Sequence, residues 1–277
     1  MMQPQPDPRN EAAALANAAD PQDAVNRRIY QSARIPSFYP ADAGLDRAET
    51  MALLAYQPDF AGKDVLDIGV GTGRTTRYLE SHARSYVATD YSAAMIAHFR
   101  QRMPNVDARV VDMRDLSPFA NESFDFVFAS ANVIDAVSHA DRHRTLGEVR
   151  RVLRPHGVLA FSSHNRRYHR AFDGPWLERA HNPATQAVHV VRFMRSLVNH
   201  GRIRRLRRVE DEYALLNDHG HDYAALHYYI DRERQQSQLA HAGFLLTDVF
   251  DGEGRRLAPG DDDCASPSLL YVARREA

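Results

Sequence analysis

Val65-Leu66-Asp67-Ile68-Gly69-Val70-Gly71-Thr72-Gly73-Arg74 decides how this chain is read. An apolar run ends in an acid, a turn punctuated by glycines follows, and Arg74 to Ser81 is compatible with helix. Buried strand, tight turn and helix N-terminus, in that order, build a ligand pocket at the carboxyl edge of a parallel sheet. The glycine spacing selects among ligands. A dinucleotide fingerprint needs a third glycine where Arg74 stands, and a phosphate-cradling loop needs a Gly-Lys-Ser/Thr that is absent. An acid just before the glycines suits instead a ligand that carries a cation or an amine.

Similar strand-then-acid units recur downstream. Tyr86-Val87-Ala88-Thr89-Asp90 is followed by a helix start at Ser92, and Ala108-Arg109-Val110-Val111 runs into Asp112-Met113. Phe124 to Ala129 closes with Ser130-Ala131-Asn132. A helix ends at Glu148 to Arg154, Pro155-His156-Gly157 makes a turn, and Val158 to Ser162 is the fifth strand. This order resembles class I S-adenosylmethionine-dependent methyltransferases over about residues 65–165. The resemblance implies a doubly wound, Rossmann-like α/β fold with a seven-stranded sheet whose last strand is antiparallel. It implies S-adenosyl-L-methionine as cofactor, with Asp67, Gly69, Gly71 and Gly73 at the amino-acid end. Asp90 would then lie at the ribose and Asp112-Met113 at the adenine, with Tyr91 and Ser130 as further cofactor contacts.

Composition agrees with one domain carrying an insertion. Apolar side chains make up 44% of 277 residues, and the formal net charge of -1 supplies no general attraction to nucleic acid or to an anionic membrane. The single Cys264 excludes an intrachain disulfide and fits a reducing compartment. No segment reaches the ~20 apolar residues of a bilayer span. Residues 1–20 read as a flexible tail without a signal pattern, residues 21–277 as the methyltransferase domain, and cytoplasmic residence is the expectation. Oligomeric state is not legible.

Ala24 to Ile29 and Leu45 to Tyr56 read as helices, joined by the rigid connector around Pro36 and Pro40. In the family such helices lie over the cofactor, which would bring Tyr30, Arg34 and Tyr39 to the methyl end or the acceptor; packing of helices onto the sheet edge is the other reading. Residues 166–231 form an insertion after the fifth strand, where the family places acceptor recognition and a lid. Inside it, a helix from Pro183 to about His200 carries Val188, Val191, Met194 and Val198 at helical spacing, the pattern of core or lid packing. The run from Arg202 to Arg208 is offset by Glu210-Asp211-Glu212 and reads as a solvated face of a helix or hairpin, with no nucleic-acid partner. His219, His221 and His227, beside Asp218 and Asp222, stand in a polar loop and read as the wall of an acceptor pocket; no metal is inferred.

Methyl transfer from a sulfonium needs an acceptor lone pair held in line, and a base when the acceptor is a hydroxyl. His164 leaves the fifth strand at the acceptor side and is the candidate base, with hydrogen bonding to loop backbone as its other reading. Tyr39, Asn132, Asp135, Asn165, Tyr168, His221 and Tyr228 are the candidate substrate contacts. The expected activity is methyl transfer to an oxygen or nitrogen of a small polar metabolite (EC 2.1.1.-). Two alternatives remain: other chemistry on the same sulfonium, such as closing a ring on its aminobutyrate chain, and a non-catalytic ligand-binding or scaffold protein.

Overall fold

The computed structural model describes residues 20–32, 35–39 and 44–277. The tail read at 1–20 lies outside them except for Asp20, whose carboxylate caps the first helix by accepting from Gln22 N, and Arg34 lies outside them too. The first helix, α1, is Pro21–Tyr30, followed by α2 (Arg47–Ala55) and the short α3 (Gln57–Phe60). α2 opens on a full capping box, Asp46 accepting from Glu49 N while the Glu49 carboxylate takes Asp46 N.

The alternating unit then runs β1 (Asp64–Ile68), α4 (Thr76–Leu79), β2 (Ser85–Asp90), α5 (Ala93–Arg102), β3 (Asp107–Val110), β4 (Phe124–Ala129), α6 (His139–Val152) and β5 (Leu153–Asn165). Past the insertion come α8 (Arg232–His241), β9 (Phe244–Phe250) and β10 (Ser268–Arg275). β3-β2-β1-β4-β5 are parallel neighbours, and β10 lies antiparallel between β5 and β9. These are the seven strands expected, the late one reversed. Strand side chains alternate between two cores. Leu66, Val127 and Phe161 pack under α6 and α8 on one face; Val65, Phe126 and Phe128 pack under α2 to α5 on the other. Both faces being covered is why these strands read as continuous apolar runs.

The residues around Pro155, expected as a turn before the fifth strand, lie inside β5. Phe124 pairs with Leu153 but Phe126 with Val158, so the extra residues form a bulge with His156 at φ 64°.

The insertion contains α7 (Pro183–Ile203) and a three-stranded addition, β6 (Arg208–Val209), β7 (Ala214–Leu216) and β8 (His227–Ile230). β8 pairs parallel with the last residues of β5, His164 with Tyr229 and Asn165 with Ile230, while β7 and β6 follow antiparallel. The sheet thus has ten strands, three more than the sequence pattern suggests. The apolar stripe of α7 corrects the packing expectation: Val188, Val191, Met194 and Val198 are at least half exposed.

Gly69 sits at φ +68°, and a Cβ there would stand 2.2 Å from Val133 Cγ2. Gly69→Ala is expected to lower stability by roughly 2 kcal/mol or more, through overpacking plus left-handed strain. In denaturant titrations Val133→Ala should restore part of that loss, because it removes the 2.2 Å contact with Cγ2 and leaves the 2.9 Å contact with Cβ and the strain.

Candidate active site

The carboxyl ends of β1, β2 and β4 border a cavity of about 460 Å³. Gly69, Gly71, Asp90, Tyr91, Asp112, Met113, Ser130, Asn132, Tyr39, His164 and His221 all line it, which brings eleven of the candidate residues to one space. α1 closes the cavity from above with Asn26, Arg27 and Tyr30. It is anchored there by buried amides: Gln22 Nε2 donates to Asp135 O and Leu226 O, and Asn26 Nδ2 to Ala136 O and Leu226 O. Sequence reading missed Asn26, Arg27, Arg74 and Arg114 as lining residues; the polar stripe of α1 is a signal only once its docking is known.

Three predicted cofactor contacts need correction or refinement. Asp67 is 1% exposed, and its carboxylate accepts from Thr75 Oγ1 (2.7 Å) and Tyr86 Oη (2.6 Å) beneath the turn. It braces the glycine loop instead of lining the cavity. Gly73 also stands back: a Cβ there would meet Phe99 of α5 at 2.9 Å, so the glycine serves close packing of helix and turn. Asp112 lines the cavity but is gripped by both arms of the Arg114 guanidinium, at 2.9 and 2.6 Å. Burial pushes the Asp112 carboxyl up, yet Arg114 outweighs it and holds the acid below its ordinary value. Asp90 lines the cavity and accepts from Gly71 N and Ser92 N; burial raises its pKa to about 6.

Beyond Asn132 the acceptor side is built on one buried knot. Asp135, fully buried, accepts from His164 N and Ser163 Oγ, pairs with the Arg142 guanidinium, and faces His164 Nδ1 at 2.7 Å. Burial pushes its carboxyl up, but Arg142 and then His164 hold it down, so it is ionised. Arg142 also donates to Ile134 O, Ser163 Oγ, Gln235 Oε1 and Gln238 Oε1. Asp135 is therefore a positioning group for His164 and not a substrate contact. Nε2 of His164 points away from Asp135, 3.3 Å from Asn132 Nδ2 and 3.8 Å from Asp218 Oδ2.

Asn165 and Tyr228 also leave the acceptor list. Asn165 is wholly buried and its amide donates to Asp263 O and Ser266 O. Tyr228, equally buried, bonds His139 Nδ1 and covers the Arg142 guanidinium at 4.6 Å. Tyr168 lines a second cavity of about 240 Å³ with Trp176, Tyr223 and Tyr229; it shares His164 and Gly220 with the first.

His227 and Asp218 form a buried pair at 2.9 Å, with Tyr229 Oη donating to the same carboxylate oxygen and Tyr30 Oη 3.0 Å from His227 Nε2. Burial alone would raise Asp218, but His227 holds it well below the carboxylate range; burial opposes charge on His227, and Asp218 overrides it. His221 is pushed down to about 4, first by burial and then by His227, and it meets Tyr39 Oη at 3.1 Å. Among the described residues His164, Asp218 and His227 are one of two groups with metal-ligand proximity. Their imidazole rings stack at 5.0 Å and 16°, so the in-plane lone pairs run side by side instead of converging on one ion. Hydrogen bonding accounts for this group. The other histidine of the loop, His219, stacks on Trp176.

Residues 65–157 match the family model of a methyltransferase domain. The chain is 35% identical over 131 residues to the malonyl-(acyl-carrier protein) O-methyltransferase of Pectobacterium atrosepticum, covering 47% of this chain and 50% of that one. It is 36% identical over 127 residues to the demethylmenaquinone methyltransferase of Mycobacterium sp. strain JLS, covering 46% and 51%. A solved S-adenosylmethionine-dependent methyltransferase from Clostridium acetobutylicum superposes with a TM-score of 0.58 at 13% identity, covering 83% of this chain and 92% of that one, a likeness of fold. Residues 65–157 carry a methyltransferase domain whose cofactor is S-adenosylmethionine, on the fold that the solved methyltransferase shares. The matches span about half the length of these curated relatives, whose names carry two unlike acceptors.

The sequence expectation that Asp90 accepts the two ribose hydroxyls implies a cofactor affinity that depends on pH. Its carboxyl is protonated below about pH 6, so the charged acceptor is lost as pH falls through that value. Calorimetry with S-adenosylhomocysteine should show Kd weakening about tenfold from pH 7.5 to pH 5, as one pKa unit implies. Asp90→Asn should bind weakly at both values and lose that dependence.

Proposed function

We propose that this chain transfers the methyl group of S-adenosylmethionine to an oxygen or nitrogen of a small polar acceptor, with His164 as general base. The observation that carries this reading is the 2.7 Å contact of His164 Nδ1 with Asp135 Oδ2. Nδ1–H donates to the ionised carboxylate, which leaves the Nε2 lone pair facing the cavity. The acceptor's lone pair forms the new bond to the methyl carbon as the carbon–sulfur bond breaks, and its proton passes to Nε2. S-adenosylhomocysteine leaves.

In this reading Asn132, beside Nε2, orients the acceptor. Tyr30, Tyr39 and His221 close the methyl end, and a neutral His221 adds no charge to repel the sulfonium. The body of the acceptor extends past His164 towards Tyr168 and Tyr229 in the second cavity, giving residues 166–231 their role in acceptor recognition. Arg74, next to Ser130 at 3.3 Å and paired through both arms with the buried Glu49 carboxylate, borders the methionyl tail.

The test is turnover against a metabolite extract, with mass spectrometry for products one CH2 heavier. His164→Ala should lower kcat by about 10²- to 10⁴-fold while leaving S-adenosylhomocysteine affinity within about twofold. Parental kcat in that variant would remove the base and leave catalysis by positioning alone. Methylthioadenosine as product in place of S-adenosylhomocysteine would favour ring closure, and binding without turnover on any acceptor would favour a scaffold.

A further inference from the structure

α7 is 21 residues long, about 30 Å, and touches the body along one side only. Ser196 is its one buried residue. On the inner side Arg192 and Arg195 reach the two oxygens of Asp222 at 3.1 and 3.2 Å, and Asn199 donates to Asp222 O. The outward side of the helix carries Val190, Val191, Met194, Leu197 and Val198, each 42–59% exposed, with Val188 (57%) at the edge of the inner stripe. So many large aliphatic side chains on one open face mark an interaction surface.

The spacing indicates what covers it. Ala187, Val191, Met194, Val198 and Gly201 alternate in steps of four and three, a repeat of 3.5 residues that suits a facing helix. We infer that this face pairs with α7 of a second copy of the chain, antiparallel, about a two-fold axis near Met194.

Charge selects both partner and direction. Arg202, Arg204, Arg205 and Arg208 are exposed at the C-terminal end, with no acidic partner among the described residues. At the N-terminal end Glu178 accepts from Gln186 Nε2 through its backbone oxygen, so its part-exposed carboxylate lies beside the first turns of α7. Antiparallel pairing sets the free arginines against the partner's Glu178 and keeps the two basic clusters a helix length apart. Parallel pairing would place cluster on cluster. Arg192 and Arg195, near the axis, share the Asp222 carboxylate, which leaves one net positive charge per copy on the inner stripe. Covering these side chains removes on the order of 500 Å² from each copy, about 1,000 Å² in all, near the lower bound of a specific interface. The association is accordingly modest and concentration-dependent.

Sedimentation velocity from about 1 to about 100 µM should follow a change from chain mass to twice that mass, the range expected of a micromolar Kd. Val191→Glu/Val198→Glu should remain at chain mass throughout, with an unchanged thermal midpoint because both positions are exposed. In a Cys264→Ser background, Met194→Cys should form a disulfide-linked dimer under mild oxidation and Val188→Cys should not. A parental protein that stays at chain mass at every concentration overturns the inference, as does a dimer that survives the double glutamate variant. Cross-linking at both positions overturns the antiparallel arrangement. Co-sedimentation of a monomeric protein with phosphatidylglycerol vesicles, lost in the double variant, would assign the face to a lipid surface instead.

Discussion

The buried ion pair of Asp135 and Arg142 is the constraint on which the acceptor side depends. It joins the turn after β4 and the start of α6, seven residues on, to the end of β5 and to α8, 93 residues from Arg142. Two charges removed from water cost several kcal/mol each, and the pair is tolerable because nearly every donor and lone pair has a partner. Arg142 spreads its guanidinium over two glutamine oxygens, a serine and a backbone carbonyl, with the Tyr228 ring above. Asp135 spends its remaining capacity on His164, fixing both the backbone and the ring of that residue. A histidine held this way turns Nε2 towards Asn132 at the cavity wall.

The insertion completes what the parallel sheet begins. β8 pairs with β5 only at His164 and Asn165, beyond the point where β4 ends. That short register lays Tyr229 on the His164 ring at 4.8 Å and brings the His227–Asp218 pair beside it. The loop from Gly220 to Tyr223 carries three consecutive non-glycine residues at positive φ, held by Arg192 and Arg195 of α7 on one side and Tyr39 on the other. The surface helix and the cavity wall are thus mechanically connected through Asp222.

Charge is sorted within this small volume. Asp112 and Asp218 stay ionised beside cations, His221 is kept neutral by burial, and Asp90 sits near neutrality for want of a cation. Acids at the ends of β2 and β3 look alike in sequence, yet Arg114 occupies one and leaves the other open. Such sorting depends on which side chain arrives from another element.

The sequence by itself determined the parallel sheet, its reversed last strand by resemblance, and the crevice around Gly69, Asp90 and Ser130. Those signals are local: an apolar run, a terminal acid and a glycine turn lie within about ten residues, and the backbone conformation they require is set where they stand. Only the tertiary structure decided that Asp67 and Gly73 brace the loop, that Asp135 serves His164, that Asn165 and Tyr228 turn into the core, and that the α7 stripe faces outward. Each of those outcomes depends on a partner 19 to 101 residues away, or on having none, and side-chain type does not encode which neighbour long-range packing will supply.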